Sequence, residues 1–306
     1  MSANHRLRLA FSGLHPERIR ELTDRFGGPA GAISAVERRR VKASDAIRTN
    51  LAVTAAQRRA ELASLGIDVV YQGGPGYPEH LGRFEDAPEA LFVRGRLSPT
   101  PGVGIVGTRR CTAYGLELAD AYGRAVAEAG WPVVSGLARG IDGAAHRGMV
   151  AVGGRGVAVL GCGIDVAYPR EHQRLGDQIL ELGGAIVSEY PPGSRPDPWR
   201  FPPRNRIIAA LSAAVVVVEA GITGGALITA VKSAEYGIPV FAMPGDVDRK
   251  TSEGTNRLIR DGAFPVFDPD DLIEELSLIH GLAETSGERM PTAAVGAAAN
   301  QASETT

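Results

Sequence analysis

From about residue 103 onward, the apolar positions fall into short unbroken runs separated by longer amphipathic stretches. The runs at 103–106, 132–135, 156–160, 185–188, 214–218, 239–242 and 265–267 read as strands. Between them, 116–129, 141–150, 171–182, 204–211 and 227–236 repeat apolar residues at helical spacing. Val215-Val216-Val217-Val218 is apolar at consecutive positions, as a strand covered on both faces must be. Strands alternating with helices therefore predict a parallel sheet with helices on both sides.

The fold class expected is α/β: an extended Rossmann-like parallel-sheet domain over residues 71–278. A small helical domain, residues 1–70, precedes it. There, Ile19, Leu22 and Phe26 recur at about 3.6 spacing until Gly27-Gly28-Pro29 stops the pattern. Shorter helical patterns follow at 30–36 and 54–65. Helix, glycine-rich turn, helix resembles SAM or helix-hairpin-helix modules, of which some contact DNA backbone and others only pack. A joining segment carries strand-like runs at 68–72 and 91–93 around the turn Gly73–Pro78, and could pack on either neighbour. Residues 279–306 hold few large apolar side chains after Leu282 and read as a disordered tail.

Composition narrows the picture in three ways. The 306 residues are 44% apolar and 22% charged, with a formal net charge of −2, so any nucleic-acid binding must come from a local patch. Two cysteines, Cys111 and Cys162, form no C-x-x-C pair and no disulfide framework. No apolar run is long enough to span a bilayer, and the N-terminus lacks a signal-like apolar core. A cytoplasmic protein is expected, with no membrane partner.

Ligands of open parallel sheets sit beyond the carboxyl ends of the strands, so the chemistry is sought there. After 103–106 comes Gly107-Thr108-Arg109-Arg110. The glycine permits close approach, the following helix start attracts anions, Thr108 offers a hydroxyl and Arg109 a planar fork for phosphate. A plain turn with solvated arginines is the alternative. The turn matches neither the dinucleotide G-x-G-x-x-G nor the Walker loop. After 132–135, Arg139 and Gly140 open a helix, followed by Asp142 and by His146, read as structural. After 156–160, Cys162 reads as a small filler.

The longest loop follows 185–188. Arg195, Arg200, Arg204 and Arg206 stand against one acid, Asp197, with Trp199 and Phe201 interleaved and Asn205 inside the motif. Arginines for phosphate plus rings for bases are what single-strand binders combine. Either ring could instead anchor the loop. After 214–218, Gly224 and Gly225 open another helix.

The motifs Gly104-Ile105-Val106-Gly107-Thr108-Arg109, Ser135-Gly136-Leu137-Ala138-Arg139-Gly140-Ile141-Asp142, Ser188-Glu189-Tyr190-Pro191-Pro192-Gly193, Phe201-Pro202-Pro203-Arg204-Asn205-Arg206 and Gly254-Thr255-Asn256 occur in this order. Together they resemble the bacterial DNA-processing protein A (DprA/Smf) family over about 71–276. The resemblance implies an extended Rossmann fold, a homodimer and sequence-independent binding of single-stranded DNA. It further implies protection of incoming DNA and loading of RecA during natural transformation and homologous recombination. It implies no enzymatic reaction, hence no catalytic residue, metal or cofactor. By motif position, Arg109 is a phosphate ligand, Phe201 sets its ring against a base, and Arg204 and Arg206 belong to the basic motif. Some members place a basic residue just before that phenylalanine; Arg200 or Arg195 is the candidate here. On this reading Arg109→Ala and Arg204→Ala each weaken binding without unfolding. Many members end in a winged-helix-like domain, which the Ala/Thr-rich tail does not resemble. Two alternatives are a nucleotide sensor using the same rim and a phosphoribohydrolase. The hydrolase motif P-G-G-x-G-T-x-x-E has no counterpart in Glu219-Ala220-Gly221-Ile222-Thr223-Gly224-Gly225-Ala226-Leu227.

Overall fold

The computed structural model describes residues 3–280. Among them one nine-stranded sheet forms from β1 (Asp68–Tyr71), β2 (Ala90–Gly95), β3 (Gly102–Val106), β4 (Val133–Ser135), β5 (Gly156–Leu160), β6 (Ala185–Ser188), β7 (Ser212–Val217), β8 (Val240–Ala242) and β9 (Phe264–Pro265). The order across the sheet is β1-β2-β6-β5-β4-β3-β7-β8-β9. From β6 to β9 every pairing is parallel; β2 joins β6, and β1 joins β2, antiparallel. The segment β5-β4-β3-β7-β8-β9 is the 3-2-1-4-5-6 order of a dinucleotide-type fold, extended on one side by three strands. The joining segment, left open by the sequence, thus supplies the antiparallel edge.

The helices are α1 (Ala3–Ala10), α2 (Pro16–Arg25), α3 (Pro29–Glu37), α4 (Asp45–Ala52), α5 (Ala55–Ser64), α6 (Glu79–Gly82), α7 (Ala113–Glu128), α8 (Ile141–Ala151), α9 (Gln173–Glu181), α10 (Phe201–Ala210), α11 (Gly225–Glu235), α12 (Glu253–Arg260) and α13 (Pro269–His280). Strand alternation sorts them into layers. Ala214 and Val216 face a core shared with α7, α8, α9 and α13, while Val215 and Val217 face α10 and α11. Leu7 and Phe11 near α1, with Ala55 and Leu62 of α5, join the first core, so these helices seat directly on the sheet. Leu9, two residues from Leu7 and therefore on the other side of α1, enters a separate small core with Leu22, Ile33, Val36 and Leu51.

Five helices, α1, α4, α6, α12 and α13, were not expected. α1 is too short and polar for periodicity to reveal, but α4 carries a readable start: Ser44 accepts from the Ile47 amide at 3.3 Å. Ile279 and His280, assigned by sequence to the tail, close α13; the rest of that expected tail lies outside the described residues.

Chain order reverses between β3 and β7. β3 leads outward through β4, β5 and β6; the chain then returns to β7, on the other side of β3, and proceeds to β8 and β9. The loops leaving β3 and β7 therefore diverge at their carboxyl ends and open a crevice, the place where such sheets bind ligands.

Candidate functional site

A cleft of about 470 Å³ occupies that crevice. Gly107, Thr108, Arg109 and Arg110 from the β3–α7 turn form one wall. Gly224, Gly225 and Thr229 at the start of α11 form the opposite wall. Phe201, Arg204 and Asn205 of α10 come in beneath, with Pro196 and Pro198 of the preceding loop at the rim.

The walls approach closely because glycine permits it. Gly140, at φ +77, lies against the Thr108 carbonyl, where a Cβ would collide. At Gly107 a Cβ would meet the Ile141 side chain. This brings the turns after β3 and β4 into direct packing and leaves Arg109 projecting into solvent at the mouth. Its guanidinium lies 4.9 Å from the centroid of the Phe201 ring, within cation–π range. Phe201 is seated on Gly161, where a Cβ would stand 2.8 Å from Cδ1. Tyr168 lies 5.5 Å from the Phe201 ring, tilted by 44°. Two rings and an arginine fork thus share the cleft mouth.

The floor is made by Arg204, 4% exposed. It donates to the carbonyls of Gly136, at 2.9 Å, and Val159, and through Nε to Asn205 Oδ1 at 3.2 Å. Asn205 in turn donates to the Gly225 carbonyl at 3.0 Å, tying α10 to the start of α11. Burial pushes the Arg204 guanidinium below its ordinary value, opposed by the charge of Asp142. Asp142 is also buried, which raises its carboxyl, opposed by Arg204 and by the Gly136 amide that donates to it at 3.2 Å. α11 begins at Gly225 with no side-chain cap, so the first amides of that helix are available to an acceptor in the cleft.

The start of α7 is different. Glu219, just after β7, accepts from the Thr112 amide at 2.9 Å and from its hydroxyl at 2.5 Å. A carboxylate of the chain itself therefore fills the anion position at that helix end. This corrects the expectation that the helix after Arg109 offers its amides to a ligand.

A family model described as DNA recombination-mediator protein A matches residues 68–277. The chain belongs to that family. Protein Smf of Escherichia coli (strain K12) is 43% identical over 202 residues, covering 65% of this chain and 54% of that protein; the chain thus spans about half of that relative. The X-ray structure of DNA processing protein A from Streptococcus pneumoniae superposes with a TM-score of 0.75 at 31% identity, covering 90% of this chain and 99% of that one. A structure describing the single-stranded DNA binding mode of DNA processing protein A from Helicobacter pylori superposes with a TM-score of 0.61 at 28% identity, covering 69% and 95%. The DprA/Smf resemblance read from the motifs holds.

Of the family motif residues singled out by sequence, Gly107, Thr108, Arg109, Phe201, Arg204, Asn205, Gly224 and Gly225 come together in the cleft. Four others do not line it. Gly140 shapes the turn from behind. Arg139 turns outward to pair with Glu171, whose carboxyl it holds down at about 2. Arg200 lies over the Trp199 and Tyr190 rings, at 4.4 and 4.7 Å, and pairs with Asp197 at 3.3 Å. Arg206 is 8% exposed and pairs with half-buried Glu189 at 2.7 Å on the far side of α10. Trp199 is an anchor as well as a surface ring: it lies against His15 at the start of α2, centroids 5.2 Å apart and planes tilted by 33°. Cys162 is buried and its thiol is pushed up to about 11 by that burial, as a filler's would be. The sequence reading overlooked Tyr168 as a second ring and Glu219 as the carboxylate held on Thr112, the N-cap of α7. Tyr168 follows β5 in the same strand-end zone, the signal that could have found it.

No helix among the described residues is long and apolar enough to cross a membrane. No group of three or more His, Cys, Asp or Glu among them could hold a metal ion.

Proposed function

We propose that the protein binds single-stranded DNA without sequence preference, protects incoming strands and loads RecA on them during natural transformation and homologous recombination. It acts in the cytoplasm as a homodimer, by binding and not by catalysis. One observation carries this reading: Arg109 stands over Phe201 at the mouth of a cleft in the sheet's switch-point crevice. A phosphate meets the Arg109 fork and the open amides of α11, while a base lies on Phe201 or Tyr168. Base stacking on an aromatic ring contributes about 1–3 kcal/mol and works for every base. Membership of a recombination-mediator family supports the assignment, and a relative of the same fold is described by its mode of binding single-stranded DNA.

Titration of oligo-dT at several salt concentrations tests it. Affinity is expected to fall with a log–log slope of about −0.7 per phosphate neutralised. The absence of binding, or a flat salt response, would refute it. The cleft volume also suits one free nucleotide, as a sensor would need. Competition separates the two: millimolar AMP displaces a strand only if a mononucleotide holds the same site tightly. RecA loading is checked by the lag in RecA filament growth on strands coated with single-strand-binding protein. The lag shortens when the protein is present.

A further inference from the structure

The N-terminal helices carry a charge pattern that the cleft does not use. Between Met1 and Gly66 the chain has twelve arginines and lysines against six acids, whereas the whole chain has 33 against 35. The excess concentrates after α3, in Arg38-Arg39-Arg40-Val41-Lys42, whose four cations are all exposed. The adjacent Glu37 is taken by Arg8 at 2.8 Å, and the next acid, Asp45, sits in the first turn of α4. Among the described residues no ion pair involves Arg38, Arg39, Arg40 or Lys42.

The segment is held rigidly. The Arg40 amide donates to the Ala35 carbonyl at 2.8 Å and the Arg39 amide to Val36 at 3.1 Å, the pair of bonds that closes a Schellman end. Val36 is fully buried and Val41 nearly so, pinning both sides of the turn in the small helical core. Arg39 occupies the left-handed position of that end, at φ +58. Glycine is the residue that adopts this conformation without strain. An arginine there gives up backbone stability to present a cation.

We propose that this turn is a second nucleic-acid contact, directed at the phosphates of duplex DNA. The commitment to duplex rests on what the patch lacks. No Phe, Trp or Tyr occurs between Gly27 and Val70, so the turn offers charge without a stacking platform. Single-strand binders draw on stacking as well as charge. A ring-free cation cluster gains most from the densest phosphate array, and a duplex carries about one charge per 1.7 Å of axis.

The test uses the full chain with two fluorescent probes: oligo-dT and a blunt duplex. The triple variant Arg38→Glu, Arg39→Glu, Arg40→Glu is expected to weaken blunt-duplex binding roughly tenfold or more. It should lower the duplex salt slope by about 0.9 for each phosphate that is no longer neutralised, while oligo-dT affinity stays within twofold. Arg109→Ala should do the converse, so failure of the cleft reading and of this one are distinguishable. Arg39→Gly removes the strained side chain: its melting temperature is expected to rise while duplex affinity falls. That opposed pair of changes is one a purely structural residue would not give. The proposal is overturned if wild-type protein does not bind the blunt duplex, or if the triple variant leaves duplex affinity unchanged. It is equally overturned if the variant weakens oligo-dT as much as duplex, or if it abolishes binding to anionic phospholipid vesicles alone.

Discussion

Arg204 and Arg206 look equivalent in the sequence, two cations of one basic motif. On a helix, residues two apart point about 200° away from each other. Arg204 accordingly faces the carboxyl ends of β4 and β5, and Arg206 faces Glu189. Helical spacing alone would have separated them; what it could not supply is which one meets the cleft. Arg204→Ala is therefore not the clean binding variant that the motif implies. Removing one partner of a buried charge arrangement destabilises by about 3–5 kcal/mol. Arg204→Ala and Arg206→Ala are both expected to lower the unfolding free energy by that order, read as a lower urea midpoint, Arg206→Ala because it strands Glu189. Arg109→Ala, at an exposed position, is expected to change stability by less than about 0.5 kcal/mol. His146 supplies a further residue-level test. It is fully buried in α8, and burial pushes it down to about 4, opposed by the Val157 backbone. Below its ordinary value of 6.5 the unfolded chain takes up a proton that the folded one refuses until about pH 4. Stability thus falls as pH drops through that window, by about 2 kcal/mol between pH 7 and 5. Buried Asp142, with its carboxyl raised, works in the opposite sense, so the comparison is made against His146→Leu. The variant should lose less stability than wild type between those two pH values in paired urea melts.

At the scale of elements, most strands of the parallel core were legible because each is a short apolar run bounded by turns. The antiparallel pair β1 and β2 was visible as two runs, but its pairing with β6 was not. Pairing between strands so distant in sequence leaves no local mark. The anion preference of helix starts was legible too, yet it misled at α7. There the acceptor is Glu219, more than one hundred residues downstream. Its carboxylate joins the end of β7 to the start of α7 and stabilises both by complementing the helix dipole. Glu219→Gln keeps the shape and removes the charge. It is expected to cost about 1 kcal/mol, read as a lower denaturant midpoint at unchanged slope. The loop between β6 and α10 is a second element-level device. Its prolines rim the cleft while Trp199 fastens it to His15 of the N-terminal helices. Trp199→Ala should loosen this rim and weaken oligo-dT binding severalfold, with Arg109 still in place.

For the whole molecule, a net charge of −2 hides an uneven distribution. Cations gather on the N-terminal helices and at the mouth of the switch-point cleft, and acids dominate elsewhere. Binding by such a protein depends on where the charges stand, so salt dependence is its most informative property. The central claim is that Arg109, over Phe201, holds a phosphate of a single strand. The direct test is the salt dependence of oligo-dT affinity in wild type and Arg109→Ala. The account predicts weaker binding by the variant and a log–log slope shallower by about 0.7 for each phosphate that Arg109 neutralises in the wild type. Its melting temperature should match that of wild type. Identical affinity and slope in the two proteins would contradict it.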